Sequence, residues 1–249
     1  GIAWRSADSL ALREFLGFEL DQSPPDHSSV SRTRRRLDVE THKEVFQWIL
    51  GVLAKKDLVA GKTVGVDAST LEANAALRSI VRRDSGDSYD EYLNGLAKAS
   101  GIETPTRKYR KKIDKDRPKK GSNDDWQHPQ DADARIAKMK DGRTHLAHKL
   151  EHAVDMDSGA VVAVTVQDAA EGDSHSLEAT VQEAQASLAA LPQSGSQPNN
   201  SLTEIVLDRG YHSNATMTFL RGEGIRSYAA EPDRGRRYWK NKREAQLAT

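Results

Sequence analysis

Two short apolar runs, each followed by an aspartate, constrain the fold of this chain more than any other feature. Residues 63–66 precede Asp67, and residues 205–207 precede Asp208. An ionised carboxylate at the end of a buried strand is costly unless a partner compensates it. If the two strands are parallel neighbours, both carboxylates lie at the edge where open α/β sheets place their ligands. Asp67 and Asp208 are therefore the candidate metal-ligating and catalytic residues. The expected ion is Mg²⁺, with Mn²⁺ as a substitute, because hard cations prefer oxygen ligands.

The pattern after residue 144 predicts an α/β fold. Apolar and polar residues alternate over 146–154, turn residues follow at 155–159, and a second strand covers 160–166, which together indicate a hairpin. A helix capped by Asp173 or Ser174, a strand at 203–208, a helix from Asn214 and a strand at 225–229 complete the order. An antiparallel hairpin beside βα units predicts a mixed sheet with flanking helices.

Residues 1–57 are predicted to form a small all-helical segment in front of this domain. Asp26 or Ser28 caps a short helix that ends near Arg36, and Asp38 caps a longer helix with one apolar face. This arrangement is similar to a helix-turn-helix, and a helical bundle with an Arg-rich loop fits the pattern equally well. The second predicted domain is 58–249, with a charged surface insertion at about 78–141.

The charge distribution points to a polyanionic partner. The net charge is zero, but Lys and Arg are concentrated at 32–36, 107–120 and 234–243. Basic clusters suit contact with nucleic acid, although a solvated surface explains any one of them alone. Tyr109 and Trp126 flank the middle cluster and either stack on bases or pack locally. No apolar stretch approaches the roughly 20 residues of a membrane span, so no membrane partner is expected.

Other kinds of site have weaker support. The chain has no cysteine, so disulfides and thiolate zinc sites are excluded. His148 and His152 share a strand face with about 13 Å between them, too far apart for one zinc ion. The acids at 84–91 lack the closing glutamate of a calcium loop, and no phosphate-binding glycine loop occurs. Ser69 is expected to cap backbone near the metal edge, while Arg209 and Tyr211 either orient DNA phosphate or pack on the surface.

The sequence around both aspartates resembles that of a known enzyme family. Gly-Val-Asp-Ala-Ser-Thr at 65–70 and Val-Leu-Asp-Arg-Gly-Tyr at 206–211 resemble the first two acidic motifs of bacterial insertion-sequence transposases of the DDE type. The resemblance extends to other parts of the chain. These are the segments 5–10 and 25–32, the hairpin at 146–166 and the Glu-Gly-Asp turn at 171–173.

This resemblance implies a ribonuclease H-like catalytic fold and a DNA transposase. Cleavage of transposon ends and strand transfer to target DNA would use two Mg²⁺ ions, with Asp67 and Asp208 as the first two of the acids that bind them. Double-stranded DNA would be the partner, the protein would act as a homo-oligomer, and its location would be the bacterial cytoplasm, at the nucleoid.

The resemblance also implies a third acid, a glutamate on a helix after the last strand. Glu223, Glu231 and Glu244 are available, and Glu244 has the spacing of related integrases, but its surroundings do not match the motif. We expect that motif beyond Thr249, so the chain would be a fragment whose own activity is open. Two alternatives follow: a catalytically inactive DNA-binding remnant, or a hydrolytic nuclease of the same fold.

Overall fold

The computed structural model of the chain describes residues 2–117, 121–192 and 201–231. The helices in these stretches are α1 (Ile2–Asp8), α2 (Leu10–Phe15), α3 (His27–Arg36), α4 (Val39–Ala54), α5 (Tyr89–Ala99), α6 (Arg107–Asp116), α7 (Asp173–Ala189) and α8 (Asn214–Gly222). The strands are β1 (Thr63–Glu72), β2 (Val81–Arg82), β3 (Trp126–Gln127), β4 (Arg135–Lys138), β5 (Thr144–Asp155), β6 (Val161–Asp168), β7 (Glu204–Leu207) and β8 (Arg226–Ala229). None of these helices is long and apolar enough to cross a membrane.

The helices at the start of the chain follow the predicted caps. The Asp26 carboxylate accepts a hydrogen bond from the Ser29 backbone N–H, and that of Asp38 accepts one from Thr41, so both caps are confirmed. The prediction of one continuous apolar face on α4 was only partly correct. Leu50 is buried, whereas Val45 and Ile49 are exposed, because α4 meets the rest of the protein along a narrow line.

A mixed sheet organises the chain, as predicted. Its order is β4-β5-β1-β7-β8, and β6 also pairs with β5, along the same edge as β4 and opposite β1. β5 is antiparallel to β1, β4 and β6, while β1, β7 and β8 run parallel to one another. The hairpin β5–β6 and the parallel pairing of β1 with β7 are both confirmed.

The main core lies between one face of this sheet and the helices packed on it. Leu177, Val181, Ala184 and Leu188 of α7 form its helical side and are buried, as the apolar stripe predicted. The Gln47 side chain of α4 donates a hydrogen bond to the Ser187 carbonyl at 3.0 Å, which attaches α4 to α7. We call this side of the sheet the helix face.

The opposite side of the sheet, which we call the open face, has a different surface. Val164 and Val166 of β6 point to this side and remain 43% and 67% exposed. Leu71 and Met156 are also about half exposed there. The alternation of side chains along each strand therefore separates a covered face from an accessible one.

The charged insertion has a small core of its own. Ile80, Trp126, Ala134 and Leu146 are buried together, with Tyr89 and Tyr92 packed against the Trp126 ring. Trp126 is only 2% exposed, so local packing is correct for this residue and stacking on bases is wrong. The insertion contains two helices where one was expected, and its last strand, β4, joins the main sheet.

Candidate metal site at the sheet edge

The parallel pairing of β1 with β7 places the two candidate aspartates beside each other. Val66 is the register partner of Leu207, so the next residues, Asp67 and Asp208, occupy matching positions on neighbouring strands. Adjacent strands are about 4.8 Å apart, and matched residues of parallel strands point to the same face. Both side chains line one cleft on the open face.

The two aspartates reach this position in different ways. Asp208 directly follows β7 and caps a short 3-10 turn, where its Oδ1 accepts a hydrogen bond from the Gly210 N–H at 2.7 Å. Asp67 does not end its strand, so that expectation was wrong. β1 runs on to Glu72 because its antiparallel pairing with β5 continues after β7 has ended.

The cleft around the aspartates is open and has an apolar floor. It has a volume of about 570 Å³. Its lining residues are Gly65, Val66, Asp67, Ser69, His152, Val154, Met156, Val206, Leu207 and Asp208. Ser69 lies in it, near the predicted metal edge. Gly65 leaves room that a side chain would fill, since a Cβ there would lie 2.6 Å from the Met156 sulfur.

His152 completes the polar part of this cleft. It is the register partner of Asp67 across the β1–β5 pair, and directly opposed residues of antiparallel strands point to the same face. The sequence pattern placed His152 on a sheet but gave no reason to connect it with Asp67. The pairing of β1 with β5 supplies that connection.

The donor set of the two aspartates fits one Mg²⁺. Both carboxylates are exposed, and in each of them one oxygen, Oδ1, accepts a backbone hydrogen bond, from Ala68 at 2.9 Å and from Gly210. Among the described residues, none donates a hydrogen bond to the second oxygen of either carboxylate. This second oxygen is therefore free to bind a ligand. Mg²⁺ is commonly bound through one or two carboxylates while it keeps several waters for exchange with phosphate oxygens.

A third protein ligand does not appear in the described stretches. No group of three or more His, Asp or Glu side chains there has the arrangement of a metal site. Glu223 lies at the end of α8 and accepts a hydrogen bond from Gln185. Glu231 is the last residue before the undescribed end, and Glu244 falls outside the described residues.

A buried polar cluster lies on the helix face, behind the candidate site. Glu151 of β5 is fully buried and accepts hydrogen bonds from Ser176 and Thr180 of α7. Lys149 is also buried and forms ion pairs with Glu151 at 3.3 Å and with Asp173 at 2.6 Å. Because charged groups are buried only when they are paired and hydrogen-bonded, these contacts explain how two ionic side chains fit under a helix.

Tyr211 connects this cluster to the turn that carries Asp208. Its hydroxyl donates a hydrogen bond to Glu151 Oε1 at 3.3 Å, and the ring is 1% exposed. Burial raises the pKa of Tyr211 well above its ordinary value, and the negative charges of Glu151 and Asp173 raise it further. Tyr211 therefore stays protonated and anchors the turn, so neither a phosphate contact nor surface packing is correct for it. Arg209, in the same turn, is exposed.

Gly210 allows Asp173 and Asp208 to approach each other. A Cβ at residue 210 would lie 2.7 Å from Asp173 Oδ2 and 3.1 Å from Asp208 Oδ1. Asp173 is the first residue of α7, whose N-cap is Gly172 and not Asp173 or Ser174 as predicted. The sequence identified Asp173 only as a cap, because its contacts with the sheet edge depend on tertiary packing.

The remaining candidate residues have partners outside the cleft. His145 bonds to Glu72 at 2.7 Å, and His148 bonds to Asp131 at 3.1 Å, so neither joins His152 in a zinc site. The hydrogen bond that His145 donates to the Glu72 carboxylate raises the pKa of His145. Asp84 pairs with Arg82 and Glu91 closes the cap of α5, which accounts for two of the acids at 84–91.

No family of known proteins matches the chain, and no curated protein matches it either.

Proposed function

We propose that the protein is a DNA transposase of the DDE type, built on a ribonuclease H-like domain. One observation carries the proposal: Asp67 and Asp208 lie at matching positions of adjacent parallel strands and face one open cleft. Paired carboxylates on rigid strands are what metal-dependent phosphoryl transfer requires, since they hold a divalent ion against a phosphodiester. The sequence motifs at 65–70 and 206–211 supply the link to this family.

The strand order gives additional support. Two hairpin strands and β1 form an antiparallel half in the order β6-β5-β1, and β7 and β8 extend it in parallel. Helix α7 lies between β6 and β7 in the chain, and α8 lies between β7 and β8. A mixed sheet with flanking helices is compatible with the ribonuclease H-like fold that the sequence resemblance implies.

Several residues in and beside the cleft have a definable part in such a reaction. Mg²⁺, when bound, activates an attacking water or 3′-hydroxyl and stabilises the leaving oxygen. Asp67 and Asp208 would hold the ion through their carboxylates. Gly65 and the apolar floor let a phosphodiester approach the strands closely, and Tyr211 fixes the turn that positions Asp208.

The partner in this proposal is double-stranded DNA, both as transposon ends and as target. The protein acts on it as a homo-oligomer, in the bacterial cytoplasm at the nucleoid. None of these assignments involves a membrane.

Cleavage of DNA that carries the ends of the element tests the proposal. The genomic DNA on both sides of the gene supplies the substrate, and the purified protein is incubated with it in Mg²⁺. We expect cut and joined products from the wild-type chain, and none from Asp67→Asn or Asp208→Asn. Asp133→Asn, an exposed aspartate on the loop before β4, is the matched control and should keep full activity. Activity that survives in both site variants would reject the assignment of the site.

The same assay separates the two alternatives. Only two carboxylates from the described residues face the cleft, which favours a DNA-binding remnant if no third ligand is supplied. Specific binding of the ends without nicking in Mg²⁺ or Mn²⁺ identifies this remnant. Nicking without joined products identifies a hydrolytic nuclease.

A further inference from the structure

The sequence of α6 places four lysines on one face of a helix. Lys108, Lys111, Lys112 and Lys115 have the spacing i, i+3, i+4, i+7, which is one continuous stripe along an α-helix. All four are exposed, and together with Thr106 and Tyr109 they line a shallow groove of about 450 Å³. We call these four residues the lysine stripe.

The other face of α6 holds the helix in place. Arg110 forms an ion pair with Asp90 of α5 at 3.3 Å. Asp114 accepts a hydrogen bond from the Tyr89 hydroxyl at 2.6 Å, and Arg117 donates to both Asp114 and Tyr89. Tyr89 in turn packs on the buried Trp126. The orientation of the lysine stripe is therefore fixed by contacts with the small core of the insertion.

This arrangement keeps like charges together at an energetic cost. Lys108 and Lys112 are one turn apart, as are Lys111 and Lys115, and like charges at this spacing destabilise a helix. None of the four has an acidic partner among the residues that the structure describes. A stripe of uncompensated charge on an anchored helix is an unfavourable arrangement for a solvated surface alone, and a favourable one for binding a polyanion.

We propose that the lysine stripe of α6 binds the phosphate backbone of duplex DNA at a surface separate from the Asp67–Asp208 cleft. The stripe is about 10 Å long, a distance over which one DNA strand advances by roughly three phosphates. A lipid surface fits less well, because helices that lie on membranes carry large apolar residues opposite the basic face. On α6 the opposite face is occupied by Arg110, Asp114 and Arg117, which bind the insertion. The choice of DNA as the polyanion rests on the proposed function.

The test compares DNA binding by three charge variants of the full-length chain. The stripe variant changes all four stripe lysines to glutamine, and a second variant changes the same four to arginine. The matched control removes four other exposed lysines, Lys56, Lys98, Lys138 and Lys140, so that it loses the same net charge. Fluorescence anisotropy with a labelled duplex of arbitrary sequence, in the presence of a chelator, measures Kd over a series of salt concentrations. Circular dichroism establishes that each variant is folded.

We expect the stripe variant to bind roughly tenfold more weakly or worse at moderate salt, with a slope of log Kd against log salt that is shallower by about 3 to 4. The control and arginine variants should bind like the wild type. Equal losses in the stripe and control variants would overturn the proposal, as would an unchanged salt slope or a wild-type chain that does not bind duplex DNA. Loss of binding to phosphatidylserine vesicles with intact DNA binding would also overturn it, in favour of a lipid surface.

These outcomes are independent of catalysis. Because the chelator removes divalent ions, the measurement does not require an active metal site. The variants Asp67→Asn and Asp208→Asn should bind the duplex at least as well as the wild type. A chain that binds DNA through α6 but never cuts it would support this inference and refute the proposed enzymatic activity.

Discussion

The two faces of β5 both carry titratable side chains, but the surroundings of these side chains are opposite. On the helix face, Lys149 and Glu151 are buried, and both oxygens of Glu151 have hydrogen-bond partners. On the open face, His152 stands beside the exposed Asp67 and Asp208, each with one carboxylate oxygen bonded to the backbone. The buried charges of the helix face are therefore used within the fold, while Asp67 and Asp208 on the open face each keep one oxygen for a ligand.

The largest effect on stability is expected from Glu151→Ala. Removing this carboxylate leaves Lys149 with Asp173 alone and takes a buried partner from the hydroxyls of Ser176, Thr180 and Tyr211. Together these losses should lower the free energy of unfolding by about 3–5 kcal/mol. Urea denaturation followed by circular dichroism measures it. The double variant Lys149→Met/Glu151→Leu should recover most of the loss, since it removes both charges. A single variant that loses less than about 1 kcal/mol would mean that this cluster does not support the fold.

Asp155, at the end of the helix face of β5, should have the next largest effect. Its buried carboxylate accepts hydrogen bonds from the backbone N–H groups of Gly61 at 2.6 Å and of Asp157 and Ser158 at 2.9 Å. Asp155→Asn should therefore cost about 1–3 kcal/mol of unfolding free energy at neutral pH. The neighbouring exposed Asp157→Asn is the control and should change little.

Asp155 also makes the stability dependent on pH. Burial alone would raise its pKa, but the hydrogen bonds from Gly61, Ser158 and Asp157 outweigh this effect and leave the pKa below its ordinary value of 3.8. Since the folded state has the lower pKa, the contribution is complete above the unfolded-state value and is lost as the pH falls through the folded-state value. Unfolding free energies measured from neutral pH into this acidic range should decline more steeply for the wild type than for Asp155→Asn. Parallel curves would contradict the assignment.

Gly210→Ala tests the close approach of Asp173, at the start of α7, to Asp208, at the end of β7. The added Cβ would collide with Asp173 and Asp208, so the turn must shift, at a cost of about 1–3 kcal/mol. The matched control is Gly95→Ala in the middle of α5, where a Cβ meets nothing within 4 Å. That variant should gain about 0.5–1 kcal/mol, because alanine is the better helix former. Equal stabilities of the two variants would show that the turn tolerates a side chain.

The smallest effect on stability is expected for the residues of the cleft itself. Asp67→Asn and Asp208→Asn should each change the unfolding free energy by less than about 0.5 kcal/mol, as is usual for exposed sites. The same urea denaturation provides the value. A loss comparable to that of Glu151→Ala would erase the difference between the two faces.

The sequence predicted the parts of this structure that depend on local pattern. The apolar runs before Asp67 and Asp208, the alternation along β5 and the apolar stripe of α7 led to the mixed sheet and to the pairing of β1 with β7. The caps at Asp26 and Asp38 were readable because a side chain bonds to a backbone group three residues away.

Features that depend on contacts between distant segments could not be predicted from the sequence. The alternation along β5 does not reveal that Lys149 and Glu151 lie on the covered face, because only Ser176, Thr180 and Asp173 of α7 make their burial acceptable. The burial of Trp126 likewise depends on aromatic partners more than 30 positions earlier. The position of His152 in the cleft depends on the register between β1 and β5, which no short sequence motif encodes.

Binding of Mn²⁺ tests most directly whether the open face holds a ligand site. Calorimetric titration of the wild-type chain should give a saturable Mn²⁺ site, with Mg²⁺ as its competitor. Asp67→Asn and Asp208→Asn should each lose this site while keeping wild-type stability, and Asp133→Asn should retain it. Mn²⁺ binding that is the same in the wild type and in both site variants would contradict the account.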